Sequence, residues 1–153
     1  MEQLIYDRTS QDVEYALNHQ DSESFLKGSY NYTDLNRVES WCRYLADELT
    51  DAGYEIDITT KIDWTMADFP REAQLERIRK NIKAIIDGYR TITQIYADVN
   101  NFNYQKANNW EKILSEVYTY MHNMKDYYVH SGVSSAGQGR MWQNRFRRRN
   151  WEV

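Results

Sequence analysis

Three stretches of the chain repeat apolar residues at helical spacing, and this periodicity constrains the fold more than any other feature. The first two stripes are Leu35, Val38, Cys42, Leu45 and Leu49, then Leu75, Ile78, Ile82, Ile85, Tyr89 and Ile92. The third has the same steps of three and four: Ala107, Trp110, Leu114, Val117, Met121, Met124 and Tyr128. Such spacing places apolar residues on one face of an α-helix. The sequence therefore predicts an all-α fold with a three-helix bundle core.

Capping and helix-breaking residues set the ends of the predicted helices. Thr33 and Gly53 bracket the first, over about 34–51, and Pro70 precedes the second, over about 71–90. The third is expected to span roughly 25 residues. An extra short amphipathic helix near the N-terminus, from about Ser10 to His19, is expected to cover one groove of the core.

The linker over residues 52–70 has a different pattern, in which apolar residues alternate with polar ones: Tyr54, Ile56 and Ile58. Alternation of this kind predicts one short strand or an extended stretch. We expect an extended connector that inserts Trp64 and Phe69 into the bundle. The alternatives are a strand paired with the stretch from Ile92 to Tyr96, or with another subunit.

Charge divides the chain into an acidic body and a basic C-terminal arm. The whole chain has a net charge of −4, and five arginines against one glutamate give residues 131–153 a charge of +4. Residues 1–130 therefore carry −8. We expect a helical bundle domain over 1–130, followed over 131–153 by a Gly/Ser linker and an Arg- and aromatic-rich arm.

The arm interleaves guanidinium groups with aromatic rings, and its candidate partner-binding residues are Arg140, Trp142, Arg145, Phe146, Arg147, Arg148, Arg149 and Trp151. Arg and Trp are preferred anchors in protein interfaces. The same composition suits phosphates and stacked bases, but the acidic body would repel a nucleic acid. We expect the arm to dock on a neighbouring protein subunit. Packing on its own acidic body and binding to nucleic acid are the alternatives.

No residue pattern indicates catalysis, a cofactor or a bound metal. His19, His122 and His130 lack the spacing of metal ligands. Cys42 occupies an apolar helix position, where a thiol behaves as a small core residue. The Gly-rich segment 132–139 lacks the lysine of a phosphate-binding loop. We therefore expect a protein that is not an enzyme and has no cofactor and no metal.

Aromatic residues make up 14% of the chain, and 13 of them are tyrosines. Tyr and Trp bury large areas while keeping a polar group, so they suit either a tyrosine-rich core or an interaction surface. Exposed Trp and Tyr would also suit a carbohydrate-binding module. The single cysteine and the lack of any long apolar run predict a chain folded in a cytoplasm, without a membrane segment.

A short internal repeat links the openings of two predicted helices. Residues 30–39 align with 102–111, and the identical positions are Asn31 and Asn103, Tyr32 and Tyr104, Asn36 and Asn108, and Glu39 and Glu111. The repeat predicts a pseudo-two-fold relation between the two helices; chance similarity is the alternative.

Four strings of residues between about residues 5 and 132 carry a resemblance to a known family. They are Tyr6 to Thr9 with Asp12 and Val13, Lys27 to Glu39, Thr60 to Pro70, and Tyr104 to Leu114. On these residues the chain resembles an uncharacterised family found in phages and prophages of gut Firmicutes. The string from Asp34 to Glu39 is also similar to a helix opening of phage tail and baseplate fibre proteins.

The resemblance implies a non-enzymatic structural protein of the virion, in the tail, baseplate or neck, assembled in the cytoplasm of the bacterial host. It implies other virion proteins as partners, with homo-oligomeric or ring-bound copies, and it supplies no catalytic residues. Relatives continue beyond the position of His130 with Tyr-Ser-Gly and an acidic tail, whereas this chain has the Arg-rich arm. This departure bears on whether the chain contacts the same partner.

Overall fold

A computed structural model describes residues 1–20, 26–89 and 91–131. It contains α1 (Ser10–Asn18), α2 (Tyr32–Asp51), α3 (Glu72–Gly88) and α4 (Tyr104–Ser131), and no β-strand occurs among the described residues. The three long helices pack against one another, which confirms the predicted all-α fold. The predicted basic arm lies outside the described residues. Within the described part, no helix is long and apolar enough to cross a membrane.

The predicted apolar stripes form the core of the bundle. Their buried members are Leu35, Val38, Cys42, Leu45 and Leu49 of α2, Ile78, Ile82 and Ile85 of α3, and Ala107, Trp110, Leu114, Val117 and Met121 of α4. The prediction was wrong for Met124, which is 44% exposed, and for Ile92, which is 78% exposed. Ile92 is exposed because α3 ends at Gly88, so Ile92 is no longer on the helix face that the stripe defines.

Local hydrogen bonds explain where α2 begins and ends. Its cap is Asn31, two residues before the predicted cap, because the side chain of Asn31 accepts from the backbone N–H of Thr33 at 2.8 Å. The carboxylate of Asp34 accepts from the Asn31 N–H at 2.9 Å, which completes a capping box. At the other end, Gly53 has a φ of 98°, a left-handed conformation that glycine adopts without strain.

The linker contributes Trp64 to the core but leaves Phe69 in solvent. The prediction for Phe69 was therefore wrong: its side chain is 91% exposed, whereas Trp64 is buried. A turn separates the two residues, because the N–H of Asp68 donates to the carbonyl of Thr65 at 3.0 Å and reverses the chain after Trp64. Within the described residues the linker forms no strand.

The three long helices run in the same direction. Along α2 and α4 the contacts step forward on both helices, from Arg37 with Glu111 to Tyr44 with Tyr118. Between α2 and α3, Glu39 contacts Arg77, and the residues that follow the two helix ends, Tyr54 and Tyr89, contact each other. Parallel helices require connections that return to the starting end of the bundle. In this chain the returning segments are extended.

The two returning segments and a similar segment that precedes α1 lie in the grooves between the helices, and we call the three segments straps. Strap 1 (residues 2–9) contacts α4 and α2, and strap 2 (residues 54–65) contacts α2 and α3. Strap 3 (residues 91–100) contacts α4 through hydrogen bonds and lies close to Arg79 of α3. Each strap therefore lies beside the long helix that follows it in the chain. The structure is a cyclic arrangement of three strap and helix units.

Matching positions in the three units have matching burial. The residues Arg8, Trp64 and Val99 are buried at the same place in their straps, each preceded by an aspartate. The helices begin after Asn31, Arg71 and Asn103, so the internal repeat in the sequence connects the first and third of three units. The two repeated helix openings thus belong to two of three similar units, and the pseudo-two-fold relation between them stays a prediction.

Candidate functional site

Two side chains near the start of α4 hold the backbone of strap 1. The N–H of Arg8 donates to the Asn108 side-chain oxygen at 3.2 Å, and the Asn108 amide donates back to the Arg8 carbonyl at 2.8 Å. Three residues further along α4, the Glu111 carboxylate accepts the N–H of Ile5 at 2.6 Å. We call Asn108 and Glu111 the α4 clamp.

Equivalent side chains of α2 hold strap 2 in the same way. Asn36 accepts from the Trp64 N–H at 2.8 Å and donates to the Trp64 carbonyl at 2.9 Å. Glu39 accepts the N–H of Lys61 at 2.7 Å. We call Asn36 and Glu39 the α2 clamp. In both clamps, residues three apart on a helix bind residues three apart on a strap.

The residue types of the clamps follow from what an extended backbone needs. Positions three apart on a helix lie on one face, so Asn and Glu reach the same strap. An Asn amide both donates and accepts, and it can therefore satisfy the N–H and the carbonyl of one residue. Buried backbone groups need such partners because no water reaches them. The clamps thus replace the hydrogen bonds that a neighbouring strand would supply.

The sequence repeat already contained the clamp residues, since Asn36, Glu39, Asn108 and Glu111 are among its identical positions. Their role was missed because the partner segments repeat at a different spacing. Straps 1 and 2, with the three residues after each, share an Asp-x-Thr-x-x-Asp pattern, formed by Asp7, Thr9 and Asp12 and by Asp63, Thr65 and Asp68. A search for this second repeat would have paired straps with helices.

The α4 clamp is part of a buried cluster of two arginines and two carboxylates. Arg8 binds Asp34 at 2.8 Å and Glu111 at 2.9 Å. Arg37 reaches the same two carboxylates, with 3.0 Å from its Nε to Glu111. The four charges cancel, which a buried ionic cluster requires. Burial alone would lower the pKa of Arg37, but hydrogen bonds to Glu111 and the nearby carboxylates raise it overall.

The α2 clamp has a simpler set of charges. Glu39 binds Arg77 of α3 at 2.6 Å, and it also accepts the Trp64 indole N–H at 2.9 Å. The residue of α3 that corresponds to Asp34 of α2 is Gln74, the third residue of its helix, which accepts the Arg71 N–H at 2.8 Å. The α2 clamp therefore lacks a second buried acid. This difference explains why strap 2 buries a tryptophan where strap 1 buries an arginine.

The hydroxyl of Tyr30 lies beside the charged cluster. Its ring contacts Phe102 at 5.3 Å and the Arg8 guanidinium at 5.3 Å. The hydroxyl is buried and has no hydrogen-bond partner among the described residues. Burial, followed by the charges of Glu111 and Asp34, raises the pKa of Tyr30 well above its ordinary value.

Other side chains that could react or bind a ligand are buried or bound to neighbouring residues. The Cys42 thiol is buried in the core, and burial raises its pKa. An open groove of about 390 Å³ lies between strap 2 and α3, and its Arg77 and Asn81 are bound to Glu39 and Thr59. The described residues contain no His, Cys, Asp and Glu group suited to a metal ion. The clamps bind backbone and offer no open ligand position.

A short turn after strap 2 presents large apolar side chains to solvent. Met66 is 85% exposed and Phe69 91% exposed, with Ile62 partly exposed beside them. The Asp68 carboxylate holds the turn, accepting from the Thr65 N–H at 2.8 Å and binding Lys61 at 3.0 Å. The Thr65 hydrogen bond and Lys61 lower the pKa of Asp68. We call Ile62, Met66 and Phe69 the apolar turn.

The sequence-predicted contact residues cannot be placed beside the apolar turn, because Arg140, Trp142, Arg145, Phe146, Arg147, Arg148, Arg149 and Trp151 lie outside the described residues. The tryptophans that are described, Trp41, Trp64 and Trp110, are all buried. None of these three is therefore placed to serve as a sugar platform. Comparison with protein-family models, curated proteins and solved structures gives no match.

Proposed function

We propose that this chain is a non-enzymatic assembly subunit of a phage particle, located in the tail, baseplate or neck. It works through protein contacts with neighbouring virion subunits. The observation that carries the proposal is the apolar turn, where Met66 and Phe69 are held in solvent by a turn fixed on both sides. The phage setting comes from the family resemblance alone.

A fixed apolar turn favours binding for two physical reasons. Burying a Phe or Met side chain stabilises by about 1.5–3 kcal/mol, so two of them form an effective anchor. The Asp68 hydrogen bonds and the clamp on Trp64 already order the backbone. Binding therefore does not lose the conformational entropy of a mobile loop. A partner with an apolar cleft is the fitting neighbour.

The charge division supports repeated contacts between copies. The basic arm, with its +4 charge, complements the acidic body, and its Arg and Trp residues suit an interface on the next subunit. Contacts between unlike surfaces close into rings when the rotation between copies allows. This is the basis for proposing a homo-oligomer or ring-bound copies.

Particle incorporation tests the role of the apolar turn. The double variant Met66→Ser with Phe69→Ser should keep its helical circular dichroism but lower the copy number in gradient-purified particles by roughly tenfold or more. The matched control is Ile92→Ser, which removes an equally exposed apolar side chain near the other end of α3. Equal incorporation of both variants would contradict the proposal.

Deletion of residues 140–153 tests the arm separately. We expect a folded helical body whose incorporation falls, measured by mass spectrometry against the major capsid protein. Absence of the wild-type chain from particles, with salt-sensitive nucleic-acid binding lost on replacing Arg147, Arg148 and Arg149 by Ala, would favour a packaging protein instead. A tryptophan fluorescence change on adding host wall glycans would favour a carbohydrate-binding module.

A further inference from the structure

We propose that the outer edge of strap 2 is a strand-addition site, which holds the Arg-rich segment 145–149 of the same chain. The inference concerns the free chain in solution. It rests on the assembly role proposed above only for its setting, in which the segment is released to the next subunit in a particle. Its test does not use particles, so the two proposals can fail independently.

The side chains of strap 2 alternate between the core and solvent, as they do in a β-strand. Tyr54, Ile56 and Ile58 pack against the core, whereas Glu55 and Asp57 are exposed. This period of two indicates an extended backbone, in which the N–H and carbonyl groups of successive residues point to opposite sides. Strap 2 therefore has two backbone edges, each formed by every second residue.

One of these edges is bound to the helices. The Thr59 N–H donates to the Asn81 side-chain oxygen at 3.3 Å, and the Thr59 carbonyl accepts the Asn81 amide at 2.7 Å. Two residues further on, the Lys61 N–H donates to Glu39 at 2.7 Å. The backbone groups of the residues between them consequently point away from these partners.

The other edge is made by Ile58, Thr60 and Ile62, and we call their backbone groups the free edge. Among the described residues, their N–H and carbonyl groups make no hydrogen bond. Ile58 and Thr60 are half-buried and Ile62 is exposed, so the free edge is not enclosed by the bundle. A row of unpaired backbone groups on an extended segment is a template for an added strand.

The charges along strap 2 favour a basic segment at the free edge. Glu55 and Asp57 are exposed, lie two residues apart and form no ion pair within the described part of the chain. When the segment 145–149 is extended, three arginines with the same spacing lie on one face: Arg145, Arg147 and Arg149. Opposite charges on neighbouring strands stabilise their pairing. The segment therefore matches strap 2 in both backbone and charge.

The position of α4 brings this segment within reach of strap 2 in the same chain. The ring of Tyr54 contacts that of Tyr89 at 5.8 Å, and the Tyr89 hydroxyl donates to the Met124 sulfur at 2.8 Å. α4 ends at Ser131, about 10 Å beyond Met124. Residues 132–144 can span up to about 45 Å, enough to return to strap 2. Such a tether gives the segment a high local concentration at its own strap.

Amide hydrogen exchange in the full chain tests the site, because the free edge has no other hydrogen-bond partner in the described structure. The comparison chain lacks the three alternating arginines: Arg145→Ser, Arg147→Ser and Arg149→Ser. We expect the free-edge amides to exchange roughly tenfold or more slowly in the wild type than in this variant. The Thr59 and Lys61 amides are the control, because their bonds to Asn81 and Glu39 do not involve the segment. Equal exchange at the free edge in the two chains would overturn the site.

Two substitutions of Thr60 separate strand addition from a general attraction between charges. Thr60→Pro removes the N–H in the middle of the free edge, and an edge strand tolerates proline at such a position. Thr60→Val keeps the N–H and is the matched control. We expect trypsin to cleave after the arginines of 145–149 roughly tenfold or more faster in Thr60→Pro than in Thr60→Val, with equal helical circular dichroism. Equal cleavage of the two folded variants would overturn backbone pairing, and the exchange comparison decides the matter if Thr60→Pro folds poorly.

Dilution identifies the source of the segment. A segment from the same chain protects the free edge independently of concentration, so exchange measured by mass spectrometry should be unchanged when the protein is diluted about tenfold. Analytical ultracentrifugation should show a monomer under the same conditions. Protection that falls on dilution would assign the segment to another copy and overturn the same-chain site.

Discussion

The two clamps bind their straps through the same backbone contacts yet bury opposite kinds of side chain. Each uses an Asn and a Glu three residues apart on a helix. The α4 clamp surrounds the charged Arg8, while the α2 clamp surrounds the indole of Trp64. Backbone recognition is thus independent of the strap side chain. What differs is one residue of the helix on the other side of the strap, which is Asp34 of α2 beside strap 1 and Gln74 at the corresponding position of α3 beside strap 2.

The third unit shows what remains when the clamp residues change. The α3 positions that match Asn and Glu are Glu76 and Arg79, which bind each other at 2.6 Å. Strap 3 consequently buries only Val99, and its hydrogen bonds go to Asn109 and Glu116 of α4. In this unit the two positions pair with each other, and the hydrogen bonds of strap 3 go to α4 instead.

The largest expected effect is at Arg8. Arg8→Ala leaves two buried carboxylates with one arginine and should destabilise the chain by about 3–5 kcal/mol in urea unfolding. Arg8→Trp copies the residue of strap 2 and should be no better, since indole cannot neutralise Asp34. Stability recovered by Arg8→Trp would break the distinction between the two clamps.

The two clamp glutamates should differ in cost. Glu111→Gln leaves Arg8 and Arg37 buried with a single acid, for an expected loss of about 3 kcal/mol. Glu39→Gln leaves only Arg77, whose side chain is partly open to water, for about 1–3 kcal/mol. Equal losses in matched denaturant titrations would show that buried charge is not what separates the clamps.

The two clamp asparagines should be equivalent. Asn36→Ala and Asn108→Ala each leave one buried strap residue without partners for its N–H and carbonyl, at about 1–3 kcal/mol. Asn109→Ala is the control, because its bonds to strap 3 are exposed and should contribute less. A clear difference between Asn36 and Asn108 would contradict a shared mode of backbone recognition.

A smaller effect concerns two carboxylates that follow straps 1 and 2, Asp12 in the first turn of α1 and Asp68 in the turn after strap 2. The Thr9 hydrogen bonds lower the pKa of Asp12, and the Thr65 hydrogen bond and Lys61 lower that of Asp68. A lowered folded-state pKa stabilises the chain above the ordinary value of 3.8 and is lost as pH falls through the folded value. Asp12→Asn and Asp68→Asn should each flatten the acid loss of stability. Urea midpoints measured from neutral to acid pH should give similar changes for the two, and unchanged profiles would disprove the account.

The smallest effect is at Tyr30. Because its buried hydroxyl has no partner among the described residues, Tyr30→Phe should change stability by no more than about 0.5 kcal/mol or increase it. Tyr96→Phe, at an exposed position, is the control. A loss well above that of the control would reveal a partner for the hydroxyl.

The helices were predictable because their information is local. Apolar spacing placed nearly every core residue of α2, α3 and α4, and Gly53 marked an end. The straps were less predictable because their partners are distant: Arg8 looks like a surface residue until Asp34 and Glu111 are brought to it. Phe69 was misassigned because apolarity alone does not reveal a turn. The sequence repeat contained the four clamp residues, but their role depends on which strap contacts which helix, and the repeat alone does not show this.

The cyclic arrangement has a consequence for how the chain is completed during synthesis. Strap 1 leaves the ribosome before the described helices, yet its clamp is on α4, the last of them to be made. Contacts between segments this far apart form late, after the local helices. Until α4 has been made, Asp34 and Arg37 lack the Glu111 carboxylate and therefore the full set of opposite charges. Formation of the charged cluster is therefore a late step in the folding of the nascent chain.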